Sequence, residues 1–390
     1  MTRALLSMMF LSFAARASPP EELGDPIKYL HQSVYDFTPE RRAEWEASRF
    51  TANGILLNLG SVTTKEFDAV ERGQVNVAFT DWLDLHADLR NDRDRQGSVQ
   101  RLVIDLLAQV KPGLWFGVSG SPAARKEQYS LGGSLLFASP DRAHYALLRL
   151  VADQFLYNQL NLEGGTRASP VLHAQAEARF TAGALSLYGL VDLTTLGDIS
   201  FTSELVSRRV SQRSEGQLHA RFTTPALEVD GRLDVAMLRD ESVQLALHSG
   251  LRRTLTTLRA QALVAPEALL GSGEPPGNFR LRFELRGAAE EAIGDDEGLP
   301  YRYSRLEPGM RAGLFWRGQE HQAEVGYAWA AASQQLAGDA ADYDARTWQD
   351  KAYGFYEYSF SDRVHLRVLA AWEFANHHFG GGNGSFVALF

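Results

Sequence analysis

An all-β fold is what this sequence predicts: a transmembrane antiparallel up-and-down β-barrel of about 18 strands, with 16 the next even count, preceded by a short N-terminal helical segment. Three observations lead there. Apolar and polar residues alternate with period 2 from about Ile55 to Phe390. The alternating runs reach about ten residues, the length a tilted membrane strand needs and longer than the usual globular strand. Tyr, Trp and Phe gather near strand ends, where a ring meets both lipid and water.

Composition sets the bounds. The chain has 390 residues, 45% hydrophobic and 22% charged, with a mean hydropathy of -0.23. No run approaches the roughly 20 apolar residues of a membrane helix. Only a closed barrel, in which alternate residues face lipid, crosses a membrane with so polar a sequence. Net charge is -9, which argues against a nucleic-acid partner. There is no cysteine, so disulfides, thiolate metal sites, a cysteine nucleophile and a lipoprotein anchor are excluded.

In chain order, residues 1–17 read as a signal peptide. Arg3 supplies the positive charge, Ala4 to Ala15 the apolar stretch, and Ala15-Arg16-Ala17 the cleavage pattern. Residues 18–52 form the helical segment, with N-cap-plus-proline pairs at Asp25-Pro26 and Thr38-Pro39. It either sits at the periplasmic rim or folds into the lumen as a plug. The barrel occupies residues 53–390.

The clearest strand is Phe279 to Arg286. Phe279, Leu281, Phe283 and Leu285 take one face; Arg280, Arg282, Glu284 and Arg286 take the other. A lipid-facing apolar side leaves the charges in a wet lumen. The same logic assigns Leu172, Ala174 and Phe180 outward and His173, Glu177 and Arg179 inward. It sends Glu228, Asp230, Arg232 and Asp234 inward opposite Val229, Leu233 and Met237. Arg363, His365, Arg367 and Glu373 alternate with Val364, Leu366, Val368 and Trp372. Residues 74–89 read as one long strand, 199–207 as a strand of its own, and 242–250 and 254–264 as two. Tight turns are expected at Lys111-Pro112-Gly113, Thr181-Ala182-Gly183, Arg317-Gly318-Gln319 and Ser361-Asp362, and long loops at Asp153–Pro170, Ala288–Pro308 and Ala331–Asp350. Pro266–Gly277 is long where a short turn is due, and there the strand count is expected to slip.

The inward charges form a basic stripe (Arg280, Arg282, Arg286, Arg363, Arg367) and an acidic one (Glu177, Glu228, Asp230, Asp234). Charges lining a pore select its solutes, and about 18 strands enclose more space than side chains fill. Trp82, Trp115 and Tyr188 are either a stacking track in the lumen or packing residues. Catalysis has little support: His377-His378 near Ser385, and His86 with Asp84, are the available sets, and neither G-x-S-x-G nor H-E-x-x-H occurs. The acidic loops at Asp295-Asp296-Glu297 and at Asp339, Asp342 and Asp344 lack EF-hand spacing. No metal and no cofactor is expected.

The last residues, Gly382 to Phe390, close on an aromatic, with Phe386, Ala388 and Phe390 on one strand face. This ending resembles the C-terminal strand of bacterial outer-membrane β-barrels. The resemblance extends over Ile55 to Phe390 and the signal peptide. It implies an outer-membrane location, with lipid, lipopolysaccharide and the barrel-assembly machinery as partners, and Phe386 and Phe390 as the assembly signal. Stand-alone barrels of this size also resemble the porin-like partners that secrete polysaccharide, which implies a periplasmic export protein as a further partner. The chain departs from general porins in its helical start and in having no obvious constriction loop. The readings that follow are a channel for polar solute or exported polymer such as exopolysaccharide, a plugged non-conducting surface or assembly barrel, and a barrel hydrolase acting on lipid or peptide.

Overall fold

A computed structural model describes residues 38–61, 68–94, 97–122, 129–153, 159–160, 165–167, 171–201, 208–244, 247–270, 277–296, 298–338, 343–374 and 377–390. The expected signal peptide and the expected helix at Asp25 lie outside them. The described chain begins with helix α1 (Pro39–Ser48). The first strands are β1 (Gly54–Ser61), β2 (Asp68–Thr80), β3 (Leu83–Asp94), β4 (Gly97–Lys111), β5 (Leu114–Pro122), β6 (Tyr129–Ala138) and β7 (Tyr145–Ala152). The short β8 (Gln159–Leu160) and β9 (Gly165–Arg167) precede β10 (Leu172–Ala182), β11 (Leu185–Thr194), β12 (Gly197–Phe201), β13 (Arg208–Thr223), β14 (Leu227–Gln244) and β15 (Leu247–Val264). After helix α2 (Pro266–Leu270) come β16 (Phe279–Asp296), β17 (Leu299–Arg317), β18 (His321–Gly338), β19 (Tyr343–Ser361), β20 (Val364–Glu373) and β21 (His378–Leu389).

All the strands belong to one sheet, every pairing is antiparallel, and β1 pairs with both β2 and β21, which closes the wall. β11 and β12 both pair with β13 and are two halves of one wall strand. β8 and β9 form a side hairpin against β12. The wall is therefore a closed antiparallel barrel of 18 strands. At the seam Asn53 and Phe390 exchange backbone hydrogen bonds of 2.9 Å in each direction.

Apolar residues face out. Phe279, Phe283, Leu285, Leu306, Met310, Val325 and Val368 are all exposed, whereas Arg282, Glu284, Glu324 and Arg367 between them are buried. On β16 and β17 the apolar rows run from the Phe279–Trp316 pair to the Ala289–Leu306 pair; the next outward row is Glu291 with Ser304. That belt is about 11 residues tall, the span of a tilted membrane strand. Phe79, Trp82, Phe116, Phe137, Phe180, Phe222, Phe279, Phe360 and Phe390 are exposed within a few residues of the turns at the end where the chain terminates. They form an aromatic girdle at one membrane boundary. Gly113 (φ 79) and Gly183 (φ 55) make two of the tight turns at this end, in backbone that L side chains adopt only with strain.

Three strand boundaries differ from those read in the sequence. Residues 74–89 are two strands, β2 and β3, joined at Asp81-Trp82. A two-residue turn preserves the parity of the alternation, so the pattern runs through it unbroken. The strand expected at 199–207 is the continuation of β11 through Gly197–Phe201. Residues 242–250 are divided between the end of β14 and the start of β15. The expected loops at Ala288–Pro308 and Ala331–Asp350 are mostly strand: β14 to β19 have 18 or 19 residues each, against 10 in β20. Past the apolar belt the inward face stays buried at Glu290, Ala292, Tyr303 and Arg305, while the outward face turns polar at Glu291 and Ser304, so the apolar–polar contrast fades while backbone pairing continues. Pro266–Gly277 is a long connection at the turn end and includes α2; contrary to expectation, the strand count slips not there but at 74–89, 199–207 and 242–264.

Candidate functional site: a helix across the barrel mouth

Helix α1 starts where the sequence places it. Thr38 is the N-cap, with its hydroxyl accepting from Arg41 N, and Pro39 follows at the first position. The helix carries charge around its circumference (Glu40, Arg41, Arg42, Glu44, Glu46) yet buries Arg41, Trp45 and Glu46. A ten-residue helix this polar is unstable alone in water. It is held by its surroundings, which are the inner wall of the barrel.

The contacts reach the wall in every direction. Arg41 donates from Nε and Nη2 to Glu357 of β19, at 2.9 and 2.6 Å. Glu40 meets Arg317 of β17 at 3.4 Å and Arg221 of β13 at 3.7 Å. Just past the helix, Arg49 pairs with Asp88 of β3 at 2.9 Å and Glu177 of β10 at 3.0 Å. Gln74 of β2 donates to the Ser48 carbonyl at 3.0 Å and to its hydroxyl at 2.8 Å. Trp45 packs with Leu56, Val387 and Leu389 at the seam. Phe50 packs with Leu107, Trp115, Leu136, Tyr145 and Leu147 on the inner face of β4 to β7. These wall residues lie within a few positions of the turns, so α1 lies across the turn-end mouth of the lumen.

Electrostatics fixes its pose. Burial raises the pKa of Glu40, but Arg221, Arg317 and Arg282 together outweigh it and hold the carboxyl well below the usual range. Burial likewise works against the Arg41 guanidinium, and Glu357 and Glu44 overcome it, so its pKa is raised. Glu44 is shifted upward because burial exceeds the attraction of Arg41.

Beyond the helix the β15–β19 wall carries a buried charge network. Arg282 donates to Glu324 at 2.7 Å and to Gln261 at 2.8 Å. Arg311 bonds Glu324 at 2.7 Å and lies 4.3 Å from the Tyr353 ring centroid. Glu284 takes Arg259 at 2.7 Å and Arg286 at 2.6 Å. Tyr353 lies over Gly326 and Gly313, where a side chain would collide with its hydroxyl.

The sequence-selected residues fall in three groups. Arg282, Glu284, Arg286, Arg367 and Glu373 are buried on the inner wall, with Arg367 stacked 4.5 Å from the Phe355 centroid. Glu177, Glu228, Asp230 and His365 lie at α1: Glu228 takes Arg317 at 2.7 Å and Arg221 at 3.0 Å, and His365 stands 3.8 Å from Glu44. The others pair locally or sit at the rim. Arg232 bonds Asp234 at 2.6 Å, His173 bonds Asp153 at 2.6 Å, and Arg179 donates to the Ala143 carbonyl at 2.5 Å. Arg280 caps the carbonyls of Gly277, Phe279 and Pro225. Arg363 is exposed in the β19–β20 turn, so the basic stripe does not include it. Phe386 and Phe390 share the outward face of β21, Phe390 fully out at the girdle.

Trp82 is exposed on the outside while Trp115 is packed against Phe50, so these rings line no common track. Nor do the hydrolase sets assemble. His377 is exposed in the β20–β21 turn and Ser385 is buried in the wall. His86 bonds Asn76 at 2.8 Å, whereas Asp84 pairs with Arg142. Nothing in the sequence singled out His219 or Arg142; Glu46 showed only as one of the charges of a highly charged helix, and Tyr353 only as one of the aromatics crowding its hairpin arm. The usable signal was the all-round charge of α1, which implies a polar enclosure.

A closed wall of 18 strands, apolar outside and charged within, defines a transmembrane β-barrel of the outer-membrane type. No family model matches the sequence, and no curated protein matches it. Among solved structures, the fold is similar to OmpT with loop L8 deleted, an outer membrane protein of Vibrio cholerae, at 10% identity over 87% of this chain and 97% of that one, TM-score 0.38. It is similar to a bacterial polysaccharide outer membrane secretin at 9% identity over 88% and 99%, TM-score 0.40. OccK9 (OpdG) of Pseudomonas aeruginosa gives 12% over 87% and 96%, TM-score 0.38. Likeness at this level carries no argument about activity; the architecture rests on the closed wall itself.

Proposed function

We propose that the protein is an outer-membrane channel for polar solute, or for an exported polymer such as exopolysaccharide, whose periplasmic mouth is stoppered by α1. The observation that carries this reading is the set of ties from one short helix and its C-cap Arg49 to β2, β3, β10, β13, β17 and β19 at once. A helix tied on all sides across a mouth blocks it, and its polar, ion-paired ties exchange readily for water once it leaves. The turn end is assigned to the periplasm, where tight turns and the terminal strand of such barrels lie. Phe386 and Phe390, outward beside the seam, suit recognition by the barrel-assembly machinery.

Planar-bilayer recording tests this. The full chain is expected to stay closed, and the chain lacking residues 18–50 to conduct in large, steady steps. A folded deletion variant that passes no current overturns the channel and leaves the second reading, a barrel that never conducts. The burial of Arg282, Glu284 and Glu324 on the wall favours that reading.

A further inference from the structure

One contact between plug and wall differs from the rest. His219 of β13 is buried between two carboxylates: Nδ1 is 2.9 Å from Glu46 Oε2 on α1, and Nε2 is 2.5 Å from Asp230 Oδ2 on β14. A carboxylate only accepts, and a neutral imidazole has a single N–H. Two hydrogen bonds from one ring to two carboxylates therefore need one proton more than neutral imidazole supplies. With that proton the bridge is an imidazolium held by two anions, joined by charge-assisted bonds. Without it, a ring lone pair faces a carboxylate lone pair in a buried site, and two negative charges remain with no cation between them.

We infer that the Glu46–His219–Asp230 bridge is a pH-sensitive latch, holding α1 across the mouth while the extra proton is present and freeing it when the proton is lost. The surrounding charges do not replace that cation. Across from His219 in register stand Arg232 on β14 and Tyr188 on β11. Arg232 is engaged by Asp234 at 2.6 Å. Arg221, two residues along β13, is taken by Glu228 at 3.0 Å and Glu40 at 3.7 Å. On β10, Glu177 is paired with Arg49 at 3.0 Å and accepts from Tyr145 at 2.9 Å. Arg232, Arg221 and Arg49 each already answer a carboxylate of their own. The sign follows: a histidine stabilised as a cation by its partners contributes fully at low pH, and the contribution is lost as pH rises. The latch opens on the alkaline side of the ordinary imidazole value of about 6.5. Its consequence for transport rests on the channel reading; the movement of α1 does not.

The chain has no cysteine, so one introduced thiol reports the movement. Ser48→Cys places it on α1, where residue 48 is 7% exposed; Gln74 gives up its bond to the Ser48 hydroxyl but keeps those to the Ser48 and Ala52 carbonyls, and all variants are compared within this background. Asp362→Cys, in an exposed turn, serves as the reference that removes the intrinsic pH dependence of the thiol. The ratio of maleimide labelling rates in the full chain is expected to rise about tenfold or more from about pH 6 to about pH 9, the scale of a lost charge-assisted bond. With His219→Gln it is expected to be high and flat, and with His219→Lys, a permanent cation over this range, low and flat. Circular dichroism in detergent checks that each barrel is folded. A flat parent profile, or a His219→Gln or His219→Lys profile that follows the parent, overturns the latch. A parent that labels at alkaline pH but carries no current keeps the latch and removes the channel.

Discussion

Arg142 reaches the Phe50 carbonyl with Nη1 at 3.2 Å, from backbone held at φ 55. The same guanidinium pairs with Asp84 and lies 4.9 Å from the Trp115 ring centroid. A non-glycine residue in left-handed backbone costs about 1 kcal/mol, so position 142 spends stability to bring a cation to the end of the plug. Arg142→Gly relieves the strain but leaves the buried Asp84 without its cation, so the barrel is expected to lose about 2–4 kcal/mol of stability. Amide hydrogen exchange over residues 49–53 is expected to speed up roughly 5- to 10-fold, the scale of one lost hydrogen bond to a charged group. Unchanged exchange would show that Arg142 does not hold the plug.

Arg41 and Glu357 form one of the enclosed ties of the plug, with side chains 8% and 2% exposed. Arg41→Ala takes from the buried Glu357 its hydrogen-bonded cation, leaving Arg367 opposite it on β20, and is expected to cost about 1–3 kcal/mol of α1 docking. Adding Glu357→Ala should return part of that, because the under-compensated charge goes with it. A double-mutant cycle on urea unfolding or on α1 protection reads the coupling. Simple additivity would mean the pair is screened by water.

Gly326 is the floor under Tyr353. A Cβ there would stand 2.2 Å from the Tyr353 hydroxyl oxygen. Gly326→Ala is expected to lift the ring from the wall and break its 2.5 Å bonds with Arg311 and Glu324, at a cost of about 1–3 kcal/mol. Combined with Tyr353→Ala, the glycine substitution should cost less than it does alone, the remainder coming from the Ala312 carbonyl 2.7 Å from the same Cβ. Thermal unfolding in detergent measures both.

Acid should loosen the plug from the other side of the pH range. The depressed carboxyl of Glu40 contributes docking energy above the ordinary glutamate value of 4.5 and loses it as pH falls toward its own lower value. Glu44, shifted upward, changes in the opposite sense. Because the Glu40 shift comes from Arg221, Arg317 and Arg282, Glu40→Gln should remove the acid limb of the Ser48→Cys labelling profile and leave the alkaline limb. An acid limb that survives Glu40→Gln would assign it to other carboxylates.

The barrel was legible in the sequence wherever one side of a strand meets lipid. Phe279 to Leu285 and Val364 to Phe374 show their outward faces by apolarity alone. Legibility failed where that contrast disappears. Ala288–Pro308 reads as loop because its outward face turns polar at Glu291 and Ser304 while Glu290, Arg305 and Glu307 keep the buried inward face charged, so apolarity marks neither side. The β2–β3 turn was invisible for the opposite reason, since Asp81-Trp82 leaves the rhythm in phase. The plug was half legible: Thr38-Pro39 marks a helix start, but no local pattern tells a helix which wall it will face. His219 reads as any inward histidine until Glu46 is brought to it by a fold that joins residues 173 positions apart.

The Asn53–Phe390 seam has a consequence for how the molecule comes into being. The first strand finds its second neighbour only in β21, 321 to 335 positions further along the chain. Until then both margins of the sheet carry unsatisfied amides and carbonyls, and neither lipid nor the interior tolerates them. Closure of so distant a pair is intrinsically slow. Every nascent copy therefore passes through a stage as an open ribbon, and its survival depends on something shielding those margins until the two ends meet.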